Sequence, residues 1–368
     1  MYTIFVINPG STSTKIALYR DDHEEMAENL HHSPEQLTPH SQILGQFDFR
    51  RQTLLRFMQS ANLAPDSVDA YVGRGGLLHP IPSGTYEVDH DMVEDLRHGV
   101  MGEHASNLGG LLAHALAQSS GARAFIVDPV VVDEMDNIAR LSGHPDLPRK
   151  SIFHALNHKA VARKAASHLG KSYPEINLIV AHLGGGISIA AHRRGRVIDV
   201  NNALDGEGAF TPERSGTLPA GDLVRLCFSG RYSKEKILRM IKGGGGVMAY
   251  LGVNDMRVVA DQVRAGDERA RRVYQGMAYQ VSKEIAALGA VLKGQVDMIL
   301  LTGGVAYDST FVEWIEARCS FLAPVIVHPG EEEMEALALG ALRVLRNDES
   351  ARTYSKLKAE SYRRMVKT

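Results

Sequence analysis

The chain has 368 residues, 44% of them hydrophobic and 23% charged, with 41 basic against 43 acidic side chains and a formal charge of -2. That length predicts two domains rather than one core, and the charge balance excludes the basic footprint of a nucleic-acid-binding protein. There is no run of about eighteen apolar residues to cross a bilayer. The N-terminus opens directly into a strand-like segment rather than a signal peptide, so the sequence predicts a cytoplasmic protein with no membrane partner.

In chain order, the residue pattern predicts a hairpin from strands at 2–7 and 14–19, a helix over 52–62 and a strand at 70–72. A helix over 107–119 carries leucines and alanines at helical spacing, a buried-type strand at 124–127 ends at Asp128-Pro129, and a helix spans 153–169. After Tyr173-Pro174 the order begins again. Strands at 177–182, 187–191 and 196–200 form a meander, followed by helices at 221–228, 233–242 and 267–292. A strand at 297–301, a helix over 309–318, a strand at 324–327 and an amphipathic helix over 332–346 complete the series. The repeated order predicts an internal duplication with the ligand between the halves. Cys227 and Cys319 lie among apolar residues with no partner at metal-ligand spacing, which predicts reduced, buried thiols. Gly243-Gly244-Gly245-Gly246 reads as a flexible loop, and His192-Arg193-Arg194-Gly195-Arg196 as a solvated hairpin turn.

Three predicted strands end in small and hydroxyl residues: Asn8-Pro9-Gly10-Ser11-Thr12-Ser13-Thr14-Lys15, His182-Leu183-Gly184-Gly185-Gly186-Ile187-Ser188 and Thr302-Gly303-Gly304. In each, backbone N–H groups can approach an anion without a Cβ in the way, as a clamp on nucleotide phosphates requires. No Gly-x-x-x-x-Gly-Lys-Ser/Thr string is present. The first loop is followed by the strand-like Ile16-Ala17-Leu18-Tyr19 and not by a helix, which argues against both the P-loop and the dinucleotide fold.

These loops, together with Gly73-Arg74-Gly75-Gly76, Phe153-His154-Ala155-Leu156-Asn157-His158 and Glu213-Arg214-Ser215-Gly216, resemble in order and spacing the acetate and butyrate kinases. The wording of Gly206-Glu207-Gly208, Pro212-Glu213-Arg214-Ser215-Gly216 and Gly252-Val253-Asn254-Asp255-Met256-Arg257 is most similar to the butyrate kinases within that family. So is Gly185, where acetate kinases typically carry asparagine. The resemblance runs nearly end to end. It implies an α/β chain with a duplicated ribonuclease H-like, actin-like ATPase fold, its two domains around a central nucleotide cleft. The expected first domain comprises residues 1–150 plus about 335–368; the second, 151–334, carries most of the adenosine site. It further implies reversible phosphoryl transfer from ATP to a short-chain carboxylate, Mg2+ accompanying ATP or ADP, and a homo-oligomer.

Such a reaction needs no strong base, because a carboxylate is already ionised near neutral pH; it needs positive charge and alignment. Arg74 and Arg214 are the expected catalytic guanidinium forks, able to bind a carboxylate and a phosphoryl oxygen. By resemblance His154 stands beside the transferring group with an N–H to donate, and Asp128 organises the metal or the substrate-side arginine. The phosphates are expected against Asn8, Gly10, Ser11, Ser13, Lys15, His182, Gly184, Gly185 and Gly186. The adenine side is expected at Asp255, Arg257, Gly303 and Gly304. Asn8 with Glu332 or Glu333 resembles the family's metal shell, and His104 is a candidate for the acyl side. Acetate or propionate kinase activity is the alternative within the family. A sugar kinase would require an aspartate base and would have little use for two arginines. A non-catalytic actin-like nucleotide switch is the alternative from another class, disfavoured by a chain that begins at the first loop and ends in a short tail.

Overall fold

The computed structural model describes residues 1–38 and 42–365, and the chain divides into two compact units, Met1–Asp133 with Glu332–Thr368, and Glu134–Glu331. Residues 366–368 of the expected returning segment lie outside the described residues. The first crossing falls at Asp133, ahead of the expected 150. Residues after it are tied into the second unit by Glu134 to Lys159 at 2.6 Å, by the Asp136 N–H to the Ile198 carbonyl, and by Arg149 to Asp199 at 2.8 Å.

The first unit is built on β1 (Thr3–Pro9), β2 (Ser13–Arg20), β3 (His23–His31), β4 (Ala70–Arg74), β5 (Thr85–Glu87) and β6 (Arg123–Val127). The second has β7 (Asn177–Leu183), β8 (Ile187–Arg193), β9 (Arg196–Val200), β10 (Met298–Gly303) and β11 (Val325–Pro329); β12 (Arg352–Thr353) returns to the first. The sheet orders are β12-β5-β6-β4-β1-β2-β3 and β11-β10-β7-β8-β9. In both units three strands form an antiparallel meander, β1-β2-β3 and β7-β8-β9, and a later strand, β4 or β10, pairs parallel to the first of them. The next parallel neighbour is β6 in one unit and β11 in the other. This is the duplicated ribonuclease H-like architecture.

Alternation explains the second unit's core. Ile179 and Ala181 of β7 face a cluster with Tyr274, Met277, Val281 and Ile285 of helix Glu268–Val291, while Leu178 and Val180 face Val161, Ala162 and Ala165 of helix Ala155–His168. In the first unit every residue of β1 is buried, as a strand covered on both faces must be.

Several elements escape the sequence reading: β3, β5, β12 and helices His90–His98, Gly246–Leu251, Met256–Arg264 and Tyr354–Met365. β3 is exposed almost throughout and rich in charge, an edge strand with no apolar alternation to detect. Two further expectations are corrected. Cys227 is exposed, because helix Ala220–Cys227 buries none of its residues, whereas Cys319 is buried. His192 is fully buried rather than solvated, whereas the rest of that tract is at the surface, with Arg193, Arg194 and Arg196 exposed and Gly195 half-buried.

Candidate active site

In the first unit, parallel pairing of β1 with β4 sets Ile7 against Gly73, so Asn8 and Arg74 emerge level at the strand ends. A Cβ on Gly73 would strike the Gly109 carbonyl, so glycine there lets β4 pack closely on helix Asn107–Ser120. Helix Glu333–Leu345 packs on both strands and delivers its first residue to the same place. Both Arg74 terminal nitrogens donate to the Glu333 carboxylate, at 2.8 and 2.9 Å, and the Asn8 amide nitrogen donates to it at 2.8 Å. Asp128, with φ of 38°, directly follows β6; its Oδ1 accepts from the Ser83 hydroxyl at 2.6 Å and the Gly84 N–H at 2.8 Å.

The β1–β2 turn has a support that the sequence did not disclose. Arg50, on helix Phe47–Ser60, is fully buried, and its guanidinium donates to the carbonyls of Gly10 and Ser13 at 2.8 Å and Ser11 at 3.2 Å. It also donates to Thr14 Oγ1 at 2.8 Å, which lies 2.8 Å from His32 Nε2. Burial brings the Arg50 pKa down to about 10, and burial together with the Arg50 charge brings that of His32 down to about 4. With its carbonyls occupied from behind, the turn leaves Ser11 exposed, Gly10 and Ser13 half-buried, and Lys15 exposed on β2 opposite Asn8.

The β7–β8 turn is held differently. The Thr211 hydroxyl donates to the Gly185 carbonyl at 2.7 Å and accepts the Arg214 N–H at 3.0 Å. A Cβ on Gly186 would strike the Arg214 guanidinium, so that fork lies against the glycine turn, and Arg214 Nη1 donates to the Ala203 carbonyl. Burial lowers the pKa of Arg214, and Glu213 opposes the shift. Gly243-Gly244-Gly245-Gly246 proves to be a packed support for this segment. The N–H groups of Gly243 and Gly245 donate to the Glu213 carbonyl at 2.8 and 3.2 Å, and the Val247 N–H donates to that of Thr211 at 3.0 Å.

Behind the turn, the rings of His154 and His182 stack with centroids 3.8 Å apart. His182 Nδ1 lies 2.9 Å from Asn157 Oδ1, and its Nε2 lies 3.0 Å from Glu331 Oε1. His154 Nδ1 is 2.8 Å from Ser188 Oγ, which is 2.8 Å from His158 Nε2. His158 Nδ1 is 3.3 Å from His192 Nε2, and His192 Nδ1 is 2.6 Å from the Tyr173 hydroxyl. Burial first, then neighbouring His182 and Lys159, pushes His158 well below the usual imidazole pKa; burial, then His158 and Lys159, does the same to His192.

Other predicted residues belong to neither cluster. Arg257 is exposed and forks onto Asp255 at 2.7 and 3.0 Å, which lowers the Asp255 carboxyl to about 2, while Asp255 caps helix Met256–Arg264. Gly303 exchanges two backbone hydrogen bonds of 3.0 Å with Gly330, and Gly304 is exposed. Glu332 is exposed, and exposed His104 has Nδ1 2.9 Å from Ser106 Oγ. Sequence reasoning missed Arg50, Ser188, His192 and Tyr173 as supports. His158 and Ser188 stood inside quoted motifs, whereas Arg50 carried no signal.

The sequence model of the acetokinase family matches residues 146–353. Butyrate kinase 2 of Clostridium acetobutylicum is 54% identical over 353 residues, covering 96% of this chain and 99% of that protein. Butyrate kinase 1 of the same organism is 52% identical over 354 residues, 96% of this chain and 100% of that one. Among solved structures, the acetate kinase of Porphyromonas gingivalis superposes with a TM-score of 0.77 at 21% identity, over 94% of this chain and 100% of the other, a likeness of fold.

Proposed function

Because this chain belongs to the acetokinase family, we propose that it transfers the γ-phosphoryl group of ATP reversibly to a short-chain carboxylate, butyrate or a branched relative, giving the acyl phosphate. The observation that carries the reading is made in each unit separately: in the first a guanidinium fork stands at the end of β4, and in the second another lies against the β7–β8 glycine turn, beside the stacked His154–His182 pair. Charge and alignment are what an already ionised nucleophile needs. The four-carbon preference rests on the butyrate kinase relatives and on Gly185.

In this mechanism Arg74 binds the acceptor carboxylate, exchanging Glu333 for it. Arg214 and the His154 N–H stabilise the equatorial oxygens of the transferring group. The turn amides around Gly10 and Gly184–Gly186 hold the remaining phosphates. Asp128 positions the 83–84 segment beside the strand end that carries Arg74, and Arg257 would have to leave Asp255 to reach an adenine. Asn8 and the Glu333 carboxylate, in contact with one another, offer hard oxygens, and among the described residues no group of three acidic, histidine or cysteine side chains could hold a metal. That donor set fits Mg2+ bound mainly through nucleotide phosphates and water, where it would neutralise charge on the phosphates. Its contacts with Asn8 and Arg74 favour Glu333 over the exposed Glu332 for that role. A homo-oligomer in the cytoplasm completes the proposal; among the described residues no helix is long and apolar enough to cross a membrane.

Trapping the acyl phosphate with hydroxylamine, with Mg-ATP and acetate, propionate, butyrate, isobutyrate and isovalerate in turn, tests this directly. The expected result is a higher kcat/KM for the four- and five-carbon acids than for acetate. A higher ratio for acetate overturns the chain-length assignment. Phosphorylation of glucose or glycerol with none of any carboxylate, or no turnover at all, overturns the reaction.

A further inference from the structure

Ser188, His158, His192 and Tyr173 lie behind His154, and the phosphoryl-transfer reading makes no use of them. The four are buried, and the path from His154 Nδ1 through Ser188, His158 and His192 to the Tyr173 hydroxyl has no step longer than 3.3 Å. A neutral imidazole has one N–H and one lone pair. Burial keeps both His158 and His192 in that neutral form. The Ser188 oxygen also accepts the His154 backbone N–H at 3.5 Å; with its second lone pair taken by one imidazole its proton goes to the other, so the protons along the path all point the same way, in one of two arrangements.

In one, Tyr173 O–H donates to His192 Nδ1, His192 Nε2–H to His158 Nδ1, His158 Nε2–H to Ser188 Oγ, and Ser188 O–H to His154 Nδ1. His154 then carries its proton on Nε2. In the other, every bond is reversed, His154 carries its proton on Nδ1, and a lone pair remains at Nε2. The terminal contact decides between them. At 2.6 Å the Tyr173–His192 separation is short for an N–H donor, whose range begins at about 2.7 Å, and ordinary for an O–H donor. Lys159 Nζ and the Arg163 guanidinium also lie over the Tyr173 ring, 5.4 and 5.9 Å from its centroid, drawing on its electrons and favouring the phenol as donor.

We infer that Tyr173, His192, His158 and Ser188 form a directed relay that fixes His154 as its Nε2–H tautomer, presenting a donor rather than a lone pair to the phosphoryl oxygens. The four are positioning residues, and the inference rests on the role proposed for His154. It explains why a hydroxyl and two further imidazoles are buried behind a single ring, and why the ring can donate without being charged beside His182.

The test uses full-length protein labelled with 15N in the histidine rings, with His154→Gln identifying the His154 signals. In the parent protein the His154 Nε2 should show the shift of a protonated nitrogen and Nδ1 that of an unprotonated one. In Tyr173→Phe, which removes one oxygen and keeps the ring, the tautomer should redistribute. kcat should fall about tenfold to a hundredfold, as for other supporting shells, with the KM for Mg-ATP and for butyrate nearly unchanged. Ser188→Ala, which cuts the path beside His154, should do the same by a second route. A parent His154 protonated on Nδ1, or a tautomer and kcat unchanged in both variants, overturns the relay. Full kcat in His154→Gln overturns instead the catalytic role of His154, and the ring-nitrogen shifts still decide the relay independently.

Discussion

The β1–β2 turn and the β7–β8 turn occupy the same place in two sheets of the same order, yet the molecule holds them by opposite means. The first hangs from a buried charge, with Arg50 taking three backbone carbonyls. The second is held by a neutral group, the Thr211 hydroxyl on Gly185, with a file of imidazoles ending in Tyr173 behind neighbouring His154. The strand ends differ in the same sense: Arg74 and Glu333 form an ion pair at β4, whereas β10 ends in Gly303, bonded through its backbone to Gly330. Topology therefore determines where such a turn can be built, and the side chains behind it determine how it is held. In the first unit the turn is backed by a buried guanidinium, and in the second by a hydroxyl with the Arg214 fork laid against the glycines.

The largest expected effect comes from breaking the charged support. Arg50→Met removes the guanidinium while roughly keeping its volume; the Ser13 carbonyl keeps the Gly10 N–H, and the carbonyls of Gly10 and Ser11, left without this donor, cost about 1–3 kcal/mol each. The expected loss of stability is therefore about 2–6 kcal/mol, with a raised KM for Mg-ATP. The histidine ring signals of the second unit should be unchanged. Chemical denaturation together with those spectra checks this; a loss below about 1 kcal/mol would mean that the turn keeps its shape without Arg50.

Next in size are the forks themselves. Arg74→Ala and Arg214→Ala should each lower kcat by about a hundredfold or more, the range for a lost electrostatic donor. Lysine at either position should not restore the rate, since a point charge cannot reproduce the fork. If either alanine variant keeps its turnover and only raises the KM for the carboxylate, that arginine serves ground-state binding and the comparison between the two forks sharpens into a division of labour.

Much of the fold was legible because it is written in short continuous apolar runs bounded by turn residues: the hairpin around the first turn, the meander of the second unit and the strands leading to Asp128 and Gly303. The unread parts lack that signature. β3 alternates nothing, and the 243–246 glycines signal freedom while their backbone is in fact bound to Glu213. Within the candidate site, sequence could name Asn8, Arg74 and the run Glu331-Glu332-Glu333. It could not tell which of the three meets Asn8 and Arg74, because that depends on where helix Glu333–Leu345 begins relative to β1 and β4. The relay was invisible for a related reason. Tyr173, His192 and His158 come from a short 3-10 turn, a strand and a helix, and the spacing between them encodes nothing until the fold is formed.

The smallest effect expected is a pH dependence of stability that separates the two supports. His158 and His192 have pKa values held well below the ordinary 6.5 by burial, and His32 is held at about 4. As pH falls through about 6.5 the unfolded chain takes up protons at these positions and the folded chain refuses them, so the unfolded state binds more protons and stability decreases. The stabilisation is fully present above about 6.5 and is lost progressively below it, down to about 4 for His32. Each refused proton contributes a slope of about 1.4 kcal/mol per pH unit. His192→Gln should remove one such proton and flatten the slope between about pH 6.5 and 5, whereas His32→Gln should do so for a proton that belongs to the first unit. Denaturant unfolding across that range measures both. An unchanged slope in His192→Gln would mean that His192 takes up its proton in the folded protein, and the uniform direction of the file from Tyr173 to His154 could not then hold.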